Sequence, residues 1–462
     1  MKRLVASLAV SLFLIPSMVL AEDFQIEKYE INVPQKFHVP YSGKYADRFP
    51  DGFPIGIGSG MCYIGKGKDG ARYFYANSDR GPNANAPKVI INEAQPQASK
   101  IFSAPSFSPS YGALRLKDGK VELVSLITIK NERSWPISGR PLPKNMVGAT
   151  GGELPLDDHL RIAKFDKDGQ DTEGIDIDRK DGNLWICDEY GPFISKMDAN
   201  TGRIIKKYGP GNGLPDIIKH RQPNRGLEGL CVTPSNKVVA AVQSICDVDG
   251  KIKKSKATFT RLVWLDPETG ATKMFAYPHD VNTYKLSRDA KIGDLATIDE
   301  NRFLLIERGK GKEGTRIMIY VVDIANATDI TGINAPDDRP LETLDSINEV
   351  EAQGVKYVKK TLVLDLVSQG WEPGKAEGIA LLPDHRTIAI CSDNDFGMKS
   401  KVVNPAKDSK GKDVASAKAY TTDGSGKLKY KDKTVDAAIE VEPSGKNTAF
   451  WVIKLPRKID NY

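Results

Sequence analysis

Glu173-Gly174-Ile175-Asp176-Ile177, followed by Trp185-Ile186-Cys187-Asp188-Glu189, is the stretch whose reading decides the fold. An acid–glycine pair opens one apolar strand, a turn follows, and a second apolar strand ends in acids. The pattern returns as Glu228-Gly229-Leu230-Cys231-Val232 with Ala240-Ala241-Val242-Gln243-Ser244. It returns again as Glu377-Gly378-Ile379-Ala380-Leu381 with Ala389-Ile390-Cys391-Ser392-Asp393. The step from the Glu to the residue after the second strand is 15 each time: 173 to 188, 228 to 243, 377 to 392. Ser59-Gly60-Met61-Cys62-Tyr63 with Asn77-Ser78-Asp79-Arg80 is a looser copy, as is Gly293-Asp294-Leu295-Ala296 with Leu305-Ile306-Glu307-Arg308. Repetition of a four-strand unit is the signature of a β-propeller. The expected fold is therefore all-β, a single propeller of five to seven blades, six favoured, with loop insertions. In such a ring the start of each inner strand and the loop after the second strand share one face near the axis. The repeated acids and arginines should meet there.

Local signals outside the repeat agree. Asp198-Ala199-Asn200-Thr201-Gly202 and Asp266-Pro267-Glu268-Thr269-Gly270 are matching turns after strands of similar pattern. Lys117-Asp118-Gly119-Lys120 between β-rich runs reads as a hairpin turn. A short strand over residues 29–33 can close the ring by joining the last blade. Two segments break the rhythm. Residues 131–171 are rich in Pro and Gly and should cover one mouth of the ring; residues 399–447 are polar and lysine-rich and read as a long surface excursion.

The chain has 462 residues, 40% hydrophobic and 27% charged, the balance of a soluble globular protein. Lys2 and Arg3, an apolar run and Val19-Leu20-Ala21 read as a signal peptide over residues 1–21. The propeller domain then occupies 22–462, in the periplasm or secreted, with no later membrane span. Loss of Lys2 and Arg3 lowers the net charge from +6 to +4, mild for this size. No basic stripe interleaved with aromatics is present, which argues against a nucleic-acid partner. There are five cysteines and no CxxC. In an exported protein Cys231 and Cys246, on one predicted hairpin, are the pair best placed for a disulfide. The stronger reading is that Cys62, Cys187, Cys231 and Cys391, at repeated strand positions, are small buried apolar residues.

The repeat gathers Glu173, Glu228 and Glu377 with Asp79, Asp188, Glu189, Asp294, Glu307 and Asp393. Like charges brought close must share a cation, share protons or stay in water. A hard cation with oxygen ligands is the simplest resolution, and Ca²⁺ accepts the loose geometry of loops from several blades. The expected ligands are Glu173, Asp188, Glu228, Glu377 and Asp79. The structural alternative is that each Glu-Gly caps a strand and bonds to the next blade. Arg80, Arg225 and Arg308 each lie beside an acid of the repeat and offer planar forks for phosphate or carboxylate; the alternative is an ion pair between blades. His220 could add a proton-transfer group, and Glu189 or Glu228 a general base. The alternating acids of 166–173 resemble a calcium loop but lack its full spacing. No nucleophile elbow, HExxH, Walker motif, dinucleotide fingerprint or CxxCH is present.

Several segments resemble the phytase-like family, also described by an esterase-like activity of phytase. They are Asp171-Thr172-Glu173-Gly174-Ile175-Asp176, Asp188-Glu189-Tyr190-Gly191-Pro192 and Asn224-Arg225-Gly226-Leu227-Glu228-Gly229, with Ser78-Asp79-Arg80-Gly81-Pro82-Asn83 and Ile306-Glu307-Arg308-Gly309. The resemblance covers roughly residues 50–455. It implies an exported bacterial β-propeller and a hydrolase acting on phosphate or other esters. The first expectation is thus a calcium-dependent hydrolase of small-molecule phosphoesters. A metal-dependent lactonase or carboxylesterase is the alternative enzyme. A non-enzymatic propeller binding a protein or cell-envelope ligand through its insertions is the alternative outside catalysis.

Overall fold

The structure, a computed structural model, describes residues 23–92, 95–147, 149, 153–280 and 282–462. The expected signal peptide, 1–21, lies outside the described residues. Five four-stranded antiparallel sheets form the blades. Blade 1 is Gly60–Lys66, Arg72–Asn77, Ser110–Lys117 and Lys120–Leu123. Blade 2 is Thr172–Ile177, Leu184–Asp188, Ile194–Met197 and Ile204–Pro210. Blade 3 is Leu227–Val232, Val238–Val242, Phe259–Leu265 and Thr272–Pro278. Blade 4 is Ala290–Thr297, Arg302–Lys310, Thr315–Asp323 and Lys359–Asp365. Blade 5 is Gly378–Leu381, Thr387–Cys391 and Ala449–Lys454, completed by the early strand Gln25–Asn32. The expected closure is therefore made, with Tyr29 opposite Phe450. The described residues form five blades, within the expected five to seven and one fewer than the favoured six. The extended segment near 360, which could have seeded another blade, is the outer strand of blade 4.

The glycine of the repeat has a steric cause. Each inner strand carries one where the next blade's backbone abuts it. A Cβ on Gly60 would stand 2.6 Å from the Gly174 Cα, one on Gly174 2.2 Å from the Leu230 nitrogen, and one on Gly229 2.5 Å from the Gly293 oxygen. A Cβ on Gly293 would face the Ala376 oxygen at 3.0 Å, and one on Gly378 the Met61 Cβ at 2.9 Å, which brings the ring back to blade 1. Only a residue without a side chain lets backbones approach so closely.

Asp294 occupies the centre of this contact, fully buried. One oxygen accepts the N–H of Leu230 (3.3 Å) and of Leu295 (2.8 Å); the other accepts Met61 (3.1 Å) and Ile379 (3.2 Å). Blades 1, 3, 4 and 5 thus share one carboxylate. Burial pushes its pKa up while the four amides pull it down; four donors on two oxygens leave no place for a carboxyl proton. Asp294, grouped by sequence with the mouth acids, is a structural residue at the axis.

The insertions build a cap. Strands Asn83–Asn85, Ser99–Phe102 and Leu154–Leu156 form one small sheet, and Lys88–Val89 joins Thr421–Thr422 in another. The 399–447 excursion is more than a solvated surface. Its Tyr420, Leu428, Ile439 and Val441 are buried in one core with Tyr45, Phe49, Phe53 and Val89. All five cysteines are free and buried, so Cys231 and Cys246 do not pair. Among the described residues no helix is long and apolar enough to cross a membrane.

Asp294→Asn replaces one acceptor oxygen by an amide facing two buried N–H groups, each costing about 1–3 kcal/mol when unpaired. Urea unfolding should show a loss of about 2–6 kcal/mol; a loss below about 1 kcal/mol would remove Asp294 from this role.

Candidate functional site

A cavity of about 570 Å³ opens at one mouth of the ring. The backbone explains why acids reach it. The inner strands of blades 2, 3 and 4 carry register shifts between Thr172 and Ile175, Leu227 and Gly229, and Ile292 and Leu295. Such bulges re-aim a side chain at a strand end. Glu173 and Glu228 occupy two of them and line the cavity. The loops after the second strands add Asp79, Glu189, Gln243 and Asp393, and the cap adds Lys100, Glu153 and Lys418.

Most of the charge is paired. Arg308 of blade 4 donates to Glu228 of blade 3 (2.5 Å) and to Glu377 of blade 5 (2.6 Å), all three side chains being buried. Arg80 donates to Glu153 (2.6 Å) and Asn224 (2.6 Å) and lies 3.5 Å from Asp171. Lys375 meets Glu377 (3.4 Å), Asp393 (3.3 Å) and Asp395 (3.6 Å). Both arginines have thus taken the structural alternative as interblade or cap ion pairs.

One acidic group remains without a counter-charge at its centre. Asp171, Glu173 and Glu189 place carboxylate oxygens within 4.8 Å of one another. Among the described residues the Glu173 side chain, the residue being 6% exposed, has no hydrogen bond or ion pair. Burial pushes its pKa well up, with Glu228 and Asp171 adding to the effect. Glu189 accepts only the Gln243 amide (2.9 Å), and its pKa too is raised by burial, then by Glu228. Asp171 is fixed by the Arg80 backbone N–H (3.0 Å). A divalent cation with oxygen ligands fits this donor set.

Cationic groups without carboxylate partners line the same cavity. Arg225 donates to the Arg288 carbonyl and, at 3.3 Å, to Ser244. Among the described residues Arg288, Lys291 and Lys100 form no ion pair. Burial pulls the Lys291 and Lys100 ammonium groups down to about 8, with Arg308 and Arg80 respectively contributing.

Of the expected ligands, Glu173 joins the acidic trio and Asp79 lines the cavity, accepting the Gly81 N–H (2.9 Å). Glu228 and Glu377 face Arg308 instead. Asp188 lies outside the cavity wall; it accepts the N–H groups of Asp171 (3.0 Å) and Tyr190 (2.9 Å) and so sets where Asp171 stands. His220, on a short 3-10 turn, is not part of the wall, and neither is Glu307, which accepts Tyr277, Tyr284 and Lys360. In the suspected calcium loop, Asp166 and Asp168 bond to Ser138 and Asn131. Asp171, a member of the trio that the Glu-Gly repeat does not point to, stands three residues before its glycine, as Lys375 does before Gly378.

The family described as "Phytase-like: Esterase-like activity of phytase" matches residues 54–396. The chain belongs to the phytase-like family. The matched segment spans all five inner strands and every mouth acid named above. A relative from Arthroderma benhamiae, named an uncharacterized secreted protein, is 23% identical over 352 residues, 63% of this chain; the chain spans 66% of that relative's length. Among solved structures, Kuenenia stuttgartiensis hydrazine synthase has a TM-score of 0.31 at 9% identity, covering 66% of this chain and 79% of that one. A putative 6-phosphogluconolactonase from Bacteroides fragilis has a TM-score of 0.31 at 11% identity, covering 92% and 99%. Likenesses this distant add nothing to the site.

Asp393 supplies a pH signature for this phytase-like protein. Burial pushes its carboxyl up to about 7, with Asp395 and Glu377 adding to the rise and Lys375 opposing it. The folded state then holds a proton that the unfolded chain, with a carboxyl near ~3.9, has released. Without divalent ions, stability should fall as pH rises from about 4 to about 7. Asp393→Asn should flatten that fall by on the order of 2 kcal/mol, read from urea midpoints across pH.

Proposed function

We propose that this protein is an exported, calcium-dependent hydrolase of phosphate esters. The observation that carries the reading is the buried Glu173, without a side-chain partner among the described residues and within 4.8 Å of Asp171 and Glu189, in a cavity shared with Arg225, Arg288 and Lys291, which meet no carboxylate among those residues. A site able to hold both a cation and an anion suits an anionic ester. Export draws on the N-terminal sequence and on the secreted designation of the Arthroderma benhamiae relative.

Asp171 and Glu173 would hold the ion, with a Glu189 oxygen within 4.8 Å of theirs. When bound, calcium supplies positive charge that polarises a phosphoryl oxygen. The remaining work falls to the chain. Arg225, Arg288 and Lys291 bind the phosphate and stabilise charge that develops on its oxygens. Glu189, held by Gln243, is the residue placed to take a proton from the attacking water, which makes it a better base than Glu228, committed to Arg308. Arg80 keeps Asp171 in place and Arg308 ties three blades beneath the site. The unpaired cations favour phosphoesters over the neutral substrates of a lactonase or carboxylesterase. The 399–447 segment is packed into the cap core, which gives the reading as a detachable recognition loop for a protein partner little support.

Calcium should raise the melting temperature of the wild type by several degrees, and Glu173→Gln should lose that rise. The same variant should lower kcat/KM for 4-nitrophenyl phosphate at least ~100-fold, about 2.7 kcal/mol at the transition state. A wild type that neither responds to calcium nor turns over any phosphoester sinks the reading.

A further inference from the structure

The 399–447 excursion carries eleven lysines against seven acids, a net +4. With Lys2 and Arg3 set aside the whole chain also nets +4, so everything outside the excursion balances to zero. The excess is only partly neutralised in place. Lys399 and Lys401 share Glu442, each at 3.4 Å, and Lys407 meets Asp413. Among the described residues Lys410, Lys412, Lys429, Lys431 and Lys433 form no ion pair, and neither does Lys88, which joins them from the earlier part of the cap.

The backbone sets these charges in order. Lys88–Val89, Thr421–Thr422, Leu428–Tyr430 and Lys433–Val435 are strands of one small sheet. Lys88 stands opposite Thr421, Thr421 opposite Lys429, and Lys429 opposite Thr434. Residues paired across strands share a face, and their chain neighbours take the other. The neighbouring row is Val89, Thr422, Leu428 and Val435; the first three are buried and the last is partly so, in the cap core. The lysine row is therefore the outer face. Lys88 and Lys429, two strands apart, have backbones about 10 Å from each other. The Asp408 turn lies beside the sheet: Asp408 accepts the N–H groups of Lys410 (2.8 Å) and Lys412 (2.9 Å) and also feels the Lys431 charge. The face leads to the mouth. Lys418 lines the mouth and precedes Thr421 by three residues, a span of no more than about 11 Å.

We propose that this face of the cap docks a linear polyanion, with the end of the chain laid into the mouth. An ammonium group is a point charge that suits phosphate or sulfate without demanding one geometry. Like charges spaced along a rigid sheet suit anions repeated along a chain. No large apolar side chain of 399–447 is exposed among the described residues, so the face has nothing to insert into a bilayer or to stack on bases. The placement of the end rests on the phosphoester reading above; docking on the face does not. On that reading the substrate is a terminal phosphoester of a chain longer than the cavity.

Lysine acetylation read by mass spectrometry tests this without any turnover. Linear inorganic polyphosphate at low salt should slow acetylation of Lys88, Lys429, Lys431 and Lys418 several-fold and leave Lys399 and Lys401 unchanged. Equal slowing of all lysines, or of none, overturns the inference. Equal protection by orthophosphate at the same phosphorus concentration shows binding of lone anions and overturns it too, as does protection by phosphatidylglycerol vesicles without protection by polyphosphate. Slowing at Lys88 and Lys429 but not at Lys418 overturns the placement of the end. The variant Lys88→Ser/Lys429→Ser/Lys431→Ser should keep the wild-type melting temperature and lose at least ~tenfold in polyphosphate affinity, measured by titration calorimetry; an unchanged affinity overturns the inference. A wild type that cleaves no phosphoester sinks the functional reading, and docking then stands or falls on the acetylation pattern.

Discussion

The Asp294 carboxylate, taking backbone N–H groups from four blades at once, is the constraint on which the ring depends. A propeller's inner strands are splayed apart by twist, and their first amides face an axis where no strand can pair with them. A buried N–H left open there costs as much as a lost hydrogen bond. One carboxylate at the axis satisfies donors that no sheet can reach, and the five glycines let the strands come near enough to use it. The repeat glycine and the axial acid are two parts of one solution.

That packing fixes the mouth. With the strand starts held together, bulges turn Glu173 and Glu228 upward, and the loops deliver Glu189 and Asp393 beside them. So many carboxylates in one buried place demand compensation, and the chain meets it unevenly. Arg308 and Lys375 neutralise the side built from blades 3, 4 and 5. Arg80 braces the outer edge of blade 2. Between them the Asp171–Glu173–Glu189 group keeps much of its repulsion, with Arg80 beside Asp171 offsetting part of it.

The ring was legible because it follows from periodicity, Glu173, Glu228 and Glu377 recurring at one offset; the family was legible from segments such as Asp188-Glu189-Tyr190-Gly191-Pro192 that resemble it. The blade number was less legible, since a β-rich run such as residues 359–365 does not reveal whether it finishes one sheet or starts another. Within the site, spacing placed Glu173, Glu189 and Asp79 at the mouth but could not tell a ligand from an ion pair. Glu228 and Glu377 read like Glu173 and differ from it only because Arg308 lies between them. Asp188 reads like a ligand and is a turn-former. Lys100, Glu153 and Lys418 come from insertions with no period, so nothing in the repeat pointed to them.

Closing blade 5 with the strand Gln25–Asn32 has a consequence for the order of folding. Its neighbour, Ala449–Lys454, is nearly the last strand made, with residues 30 and 447 touching across 417 positions. During synthesis residues 25–30 must wait for their partner while four blades assemble, although Ile31 and Asn32 can already pair with Val121 and Glu122 of blade 1. Contacts of such sequence separation form slowly and expose strand edges meanwhile. A chain stopped short of residue 449 leaves the ring open, with the edge of blade 5 bare. Completion of the mouth is thereby tied to synthesis of residues 449–454, and a chain without them cannot acquire the finished site.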